Sequence, residues 1–362
     1  MKKSIKNLIR FISFALIICI LTTVSTFCLE VADRKDIMHI RGFFLEPENS
    51  LDVALVGASE LYTGFCSPLA WKNCGFTSYS LCYAGMLATH YKPAVQEVMA
   101  HQNPKLLVIE INGFTCGDEY QNDLTKSHTF LDNVPKDKLR NQLIKDIIPE
   151  ESRAEFYFPI IKYHENWKHI RSSLVCLRNK IYMALYGQTL TKAYANKKSV
   201  FKKNKLEEYN PKPGKIAEES LTELLEFLKE NNIEKVLFVR FPHCVKNKNP
   251  QAYEKIKEKI ISYGYDYKDF EAETNELGLI PSKDFYNYGH LNVFGQEKFT
   301  PVLAEYIVSN YDVKSEHNDD VIQSWNKSWE VTQKVLKATE TEEPVEKDIK
   351  FYYEINGYFM NK

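Results

Sequence analysis

Gly57-Ala58-Ser59-Glu60-Leu61 follows a short apolar run, so a serine stands where a strand gives way to a helix. In open α/β sheets that carboxyl edge is where ligands bind. A hydroxyl at a helix start lies near free backbone N–H groups, which can hold a tetrahedral oxyanion. The same position also suits a serine whose only task is to cap the helix, and both readings stand at this point. Far along the chain, Asp284-Phe-Tyr-Asn287-Tyr-Gly-His290-Leu-Asn292-Val-Phe-Gly295 leads into a closing helix able to return a histidine to the same edge. A serine nucleophile needs a base within hydrogen-bond reach, and the base needs a group on its other ring nitrogen. His290 supplies the base. Asp284 and Asn287 both precede it as candidates for orienting it.

Those residues are useful only if strands deliver them to one place. Asp52 to Gly57, Thr77 to Tyr83, Lys105 to Ile111, Ile233 to Phe241 and Tyr265 to Phe270 read as strands, the third being the clearest continuous apolar run. His90 to His101, Ala217 to Asn232, Ala252 to Ile261 and Gln296 to Ser309 read as helices, with Leu221, Leu224, Leu225 and Leu228 forming a core stripe. Alternation of this kind predicts a doubly wound α/β fold, a parallel sheet covered on both faces. Residues 113–216 are too long for a crossover. They read as an insertion with helices at Arg140 to Ile148, Ala154 to Ile161 and Trp167 to Leu185, forming a cap or substrate-facing subdomain. The α/β region then runs over 45–312. A charged tail, 313–362, carries one helix at Val321 to Ala338, an acidic linker at Thr339 to Asp348, and an aromatic end, Phe351 to Phe359, expected to dock back.

The chain has 362 residues with 47 Lys+Arg against 48 Asp+Glu, so no global field draws it to nucleic acid. A mean hydropathy of -0.38 excludes a multi-pass membrane protein but not a single apolar segment. Phe11 to Leu29 is such a segment, without a charge, and close to the ~20 residues that cross a bilayer as a helix. Lys2, Lys3, Lys6 and Arg10 precede it. The positive-inside tendency puts residues 1–30 down as a cytoplasmic tip and membrane anchor, with the main domain extracellular. A cleaved signal peptide is the competing reading, against which stand the segment's length and the bulky Phe27-Cys28-Leu29. The eight cysteines include no CxxC pair, so neither a zinc ribbon nor thioredoxin chemistry is indicated. The six beyond the anchor are open to disulfides or to burial as free thiols.

Taken together, Gly57-Ala58-Ser59-Glu60, Gly85 after the second strand, Asn112 after the third, and the Asp284 to Gly295 block resemble the four blocks of SGNH/GDSL-type hydrolases. More narrowly, Ser59-Glu60-Leu61, Ser67-Pro68-Leu69-Ala70-Trp71 and Tyr163-His164-Glu165-Asn166-Trp167 are similar to motifs of membrane-anchored bacterial SGNH proteins related to DltD, the D-alanyl-teichoic-acid protein. The resemblance covers roughly residues 45–310. It implies a flavodoxin-like three-layer α/β/α domain, Ser59 as nucleophile, His290 as general base, and an oxyanion hole from the Ser59 and Gly85 N–H groups with the Asn112 side chain. Its activity would be that of an esterase or O-acyltransferase on acyl esters of cell-wall polysaccharide or teichoic acid, without a cofactor or metal, alongside a membrane-bound O-acyltransferase. The family pattern puts Asp three residues before His, where this chain has Asn287. Either Asp284 takes over, or a Ser59–His290 dyad works alone, or the chain is a degraded accessory or polymer-binding protein.

Further candidates carry less chemistry. Glu60 and Asn292 flank the reacting pair in sequence and are candidates for the substrate pocket. His164 and Trp167 would line a sugar or acyl pocket from the insertion, or else pack a helix. His90 suits either pocket or core. The basic run Lys192 to Lys205 reads as a solvated face or as a contact for anionic polymer or lipid headgroups.

Overall fold

The computed structural model describes residues 2–30, 34–186, 189–201, 209–245 and 247–342. In chain order the principal elements are α1 (Lys2–Leu29), α2 (Arg34–Phe43), β1 (Val53–Gly57), α3 (Ser59–Gly64), α4 (Ser67–Cys74), β2 (Ser78–Cys82), α5 (Tyr91–His101) and β3 (Leu106–Glu110). There follow α6 (Lys138–Ile147), α7 (Ile170–Tyr186), α8 (Lys215–Glu230), β4 (Val236–Arg240), α9 (Pro250–Ser262) and β5 (Asp266–Asp269). A small hairpin, β6 (Phe285–Asn287) and β7 (His290–Leu291), then precedes α10 (Val293–Asn310) and α11 (Asp319–Thr341). Two compact units emerge: Met1–Arg34 with Lys136–Tyr186, and Lys35–Pro135 with Gly187–Lys362.

The larger unit is built on a sheet in the order β2-β1-β3-β4-β5, every pair parallel. Strands β1 to β4 are buried along their whole length, as a strand covered on both faces must be. Val53, Leu55, Val108, Leu237 and Val239 point to one face, where they join Leu61, Phe65, Phe299, Leu303 and Ile307 in a single core. Helix α5 packs on β1 and against α8, whose Leu221, Leu224, Leu225 and Leu228 are buried as their spacing predicts. β5 lies at the edge and is polar, Asp-Tyr-Lys-Asp, which blunts the sheet against further pairing. The five sequence-predicted strands thus all form. The short α3 and α4 and the β6–β7 hairpin have too few residues to show a period and are additions to that reading.

The smaller unit joins the N-terminal helix to part of the insertion. Ser4–Leu29 is long and apolar enough to span a membrane by length and composition, with mean hydropathy 2.3 in its most apolar window. At its far end Lys180 Nζ meets Glu30 Oε2 at 2.7 Å and the Phe27 carbonyl at 3.2 Å, and Asn166 Nδ2 donates to the Leu29 carbonyl at 2.9 Å. The helix predicted over Ala154 to Ile161 is broken into Arg153–Tyr157 and Ile160–Tyr163. Pro159 lacks an N–H and pushes Phe158 out of the helical region, to φ -125° and ψ 74°. Of the expected insertion over 113–216, Lys136–Tyr186 groups with the N-terminal helix and the rest with the larger unit.

In the tail, the predicted helix extends through Thr341 and buries Trp325. The remainder of the acidic linker and the aromatic end lie outside the described residues, apart from Glu342. The basic run is not a continuous solvated face either. Lys192 is buried, with Nζ 2.7 Å from both oxygens of Glu46, and Lys198 pairs with Glu342 at 3.7 Å. All eight cysteines are free thiols, and burial pushes that of Cys66 up to about 12.

Candidate active site

Ser59 is the first residue of α3, and the N-cap position belongs to Ala58, so the serine hydroxyl is not spent on a cap. It faces His290 instead, Oγ to Nε2 2.6 Å. The other ring nitrogen, Nδ1, lies 2.8 Å from Asn287 Oδ1. That same oxygen accepts the Gly289 N–H at 3.1 Å, which identifies the Asn287 atom facing the ring as the carbonyl oxygen. An oxygen there can only accept, so Nδ1 carries the proton and the Nε2 lone pair receives the Ser59 hydroxyl proton. This is the tautomer a general base requires. Tyr286 stacks on the His290 ring, centroids 5.3 Å apart and planes 12° apart, and Lys197 Nζ sits 4.0 Å above the Tyr286 ring.

Asp284 does not take part. It is buried, and its Oδ2 accepts the Ile280 N–H at 2.7 Å and pairs with Lys298 Nζ at 2.8 Å. The reason is local: Asn287 and His290 face each other across the β6–β7 hairpin, whereas Asp284 closes the helical turn that precedes it. Of the two orienting candidates, the structure selects Asn287.

The expected oxyanion residues lie at the same sheet edge. Gly85 follows β2 with φ +65°, a left-handed conformation open to glycine at little cost, and a Cβ here would strike the Tyr120 hydroxyl and Lys126. Asn112 follows β3, and its Oδ1 accepts from Thr115 Oγ1 at 3.1 Å and from the Tyr209 hydroxyl at 3.3 Å. With the oxygen so engaged, the Asn112 NH2 is the end left to donate to a reacting group.

Beside this half-buried set lies a charged one centred on buried Glu60 and His243. Glu60 Oε1 meets His243 Nε2 at 2.8 Å, and His243 Nδ1 meets Glu271 Oε2 at 2.5 Å. Arg240 pairs with Glu271 and, at 3.1 Å, with Asp269, and lies 3.5 Å over the Tyr253 ring. Burial works to lower the His243 pKa, but the two carboxylates overcome it and raise it to about 10, so the ring is an imidazolium. Glu110, at the end of β3, accepts the Ala58 N–H at 2.8 Å and also the Asn112 N–H. It therefore ties the turn that carries Ser59 to the turn that carries Asn112. Burial, together with the charge of Glu60, pushes its pKa up to about 8. Gly289 bridges the two sets, since a Cβ there would stand 3.1 Å from His243 Cδ2.

The remaining sequence candidates, Glu60, Asn292, His164, Trp167 and His90, are placed as follows. Glu60 belongs to the buried network rather than to a substrate pocket. Asn292 is fully buried and caps α10, its Oδ1 accepting from Phe294 N at 3.0 Å and Gly295 N at 3.1 Å. His164 and Trp167 belong to the smaller unit, not to the one that holds Ser59, and both are exposed. His90 is core: it bonds the Tyr83 hydroxyl and, at 3.2 Å, Ser127, and burial lowers its pKa to about 3. Glu110, Arg240, His243 and the stacked pair Tyr209 and Tyr288, 5.8 Å between centroids, went unremarked in the sequence. A signal for the first two existed, because each is a charged residue ending an otherwise apolar parallel strand. Compared with known proteins, the chain matches no protein-family model and no curated sequence.

Proposed function

We propose that this chain is a membrane-anchored serine esterase or O-acyltransferase of the SGNH type, acting on acyl esters of cell-wall or exported polysaccharide or teichoic acid. The observation that carries the reading is the Ser59–His290–Asn287 file, 2.6 and 2.8 Å long, with the tautomer fixed by Gly289. The strand order 2-1-3-4-5 is the flavodoxin-like one, in which ligands bind at the carboxyl ends of the strands. Ser59 and Asn112 stand at such ends. Tyr288, 38 % exposed and stacked on Tyr209, offers an aromatic face on which a substrate ring could pack.

In the reaction, Ser59 Oγ attacks the ester carbonyl carbon while its proton passes to His290 Nε2. The tetrahedral oxyanion is met by backbone N–H groups and the Asn112 amide. On collapse, Nε2–H protonates the departing alkoxide oxygen, leaving an acyl-serine. A water or a sugar hydroxyl then gives its proton to Nε2 and attacks the acyl carbon, and on collapse Nε2–H returns the proton to Ser59 Oγ as the acyl–oxygen bond breaks, which frees Ser59. Asn287 keeps the ring in register throughout but lends no negative charge to the imidazolium, so the site is slower than one with Asp in that place.

That missing charge favours a second reading, an accessory or polymer-binding protein that keeps the fold after losing catalysis. A fluorophosphonate serine probe separates the two. Stoichiometric labelling of the folded full chain, abolished in Ser59→Ala, supports the enzyme. Absence of labelling in a folded chain supports the accessory protein. The orientation proposed with it, N-terminus in the cytoplasm and main domain outside, rests on the cationic residues before Phe11. It is tested by whether external protease reaches the sheet unit in intact cells.

A further inference from the structure

The smaller unit shows an apolar surface that the proposed chemistry does not use. Trp167 is 64 % exposed and Leu185 76 %, with Ile170, Leu174 and Ile181 about half exposed between them. At 100° per residue, Ile170, Leu174, Ile181 and Leu185 fall on one side of α7. The buried side of the same helix is different, formed by Ser173, Cys176, Lys180 and Met183. α7 is therefore amphipathic twice over, with one face packed inside the unit and a second apolar face turned outward. Phe158 and Ile161, on the preceding turns of the same unit, are exposed as well. Soluble surfaces seldom carry a contiguous apolar patch of this kind without a partner.

What covers it is indicated by α1, which belongs to the same unit. Counted from Phe11, the first residue after Arg10, the ~20 residues that cross a ~30 Å hydrocarbon core end near Leu29 and Glu30. The ties to the insertion are made at that end, through Phe27, Leu29 and Glu30. Lys180, buried against Glu30, thus fixes the level of α7 relative to the span. Trp167 and the cationic Lys168, Arg171 and Arg178 are residue types that settle where hydrocarbon meets headgroup.

We propose that residues 158–185 form a membrane-interface platform, with the outward face of α7 and Trp167 seated in the lipid leaflet from which α1 emerges. The inference rests on reading α1 as a membrane span. The platform would hold the smaller unit on the bilayer surface rather than leave it on a free tether.

The test uses the full chain in phosphatidylcholine–phosphatidylglycerol vesicles whose acyl chains carry bromine near the headgroup. The fluorescence of Trp167 is taken as the difference between the wild type and Trp167→Phe. The expected result is quenching of that component by the brominated lipid and little quenching by aqueous iodide. Leu174→Glu with Ile181→Glu, both at exposed positions, should lose the lipid quenching while the protein still resists alkaline extraction from the vesicles. Quenching by iodide and not by bromolipid, in a chain that resists extraction, overturns the platform and leaves the anchor standing. Quenching by neither means that protein covers the face, and also overturns it. Release at alkaline pH overturns the anchor and the platform together.

Discussion

Two polar clusters share the carboxyl edge of the sheet and differ in how they treat charge. Ser59, His290 and Asn287 are half-buried and formally neutral, each offering a proton or a lone pair to the next. Glu60, His243, Glu271 and Arg240 are more deeply placed and made of ions. By the shift of its pKa values the ionic cluster would be judged the more reactive, yet every charge in it already faces an opposite one. A shifted pKa in a saturated network reports architecture, whereas reactivity needs a lone pair left pointing at a hydroxyl. Only the neutral cluster has one.

This contrast can be broken most sharply at Ser59. Ser59→Ala should abolish serine-probe labelling, and either Ser59→Ala or His290→Ala should reduce ester turnover by about 10⁶-fold, with thermal unfolding little changed. His243→Gln should do the opposite. It leaves buried Glu60 without its cation and Glu271 with Arg240 alone, a loss of about 3–5 kcal/mol in chemical denaturation.

The same cluster makes stability depend on pH. Folding raises the His243 pKa from 6.5 to about 10, so its stabilisation is complete below 6.5 and is lost as the pH climbs towards 10. Glu110, raised from 4.5 to about 8, contributes in the same sense, its share being lost between those values. The melting temperature should therefore fall from pH 5 to pH 10, and His243→Gln should flatten the alkaline part of that fall.

Asp284→Ala tests the residue that sequence offered in place of Asn287. It frees the Ile280 N–H and removes the partner of Lys298, and should cost about 1–3 kcal/mol of stability without changing the labelling rate per folded molecule. Asn287→Asp should sharpen the neutral cluster into a charged triad, raising the labelling rate by about tenfold, the equivalent of ~1.4 kcal/mol. It should also move the acid limb of the pH–rate profile upward, because a carboxylate beside Nδ1 raises the His290 pKa and the base must be neutral to act. The smallest effect is expected of Asn292→Ala, a lost helix cap costing about 1 kcal/mol by calorimetry.

β1, β3 and β4 were legible because a parallel strand buried on both faces is written as an apolar run, and Leu106 to Glu110 shows this most plainly, whereas β2 alternates and the edge strand β5 is polar. Ser59 and His290 were legible because one ends such a run and the other precedes the closing helix. The role of Asn287 was not. Asp284 and Asn287 both lie close to His290 in sequence, and only the hairpin turn decides which carbonyl or carboxylate oxygen meets the ring. Lys192 misled for a related reason: a lysine in a basic run reads as solvated, but Glu46, far off in sequence, draws it inside.

The amino-acid sequence by itself determined the alternation of strands and helices, the apolar N-terminal helix and the placing of a serine and a histidine at opposite ends of the α/β region. These follow from local composition and period, which do not depend on what folds against them. Tertiary structure alone decided that Asn287 orients His290, that Glu60 turns inward to His243, and that His164 and Trp167 belong with the N-terminal helix. Those outcomes depend on which distant side chain supplies the compensating charge or hydrogen bond, and that pairing exists only once the chain has closed on itself.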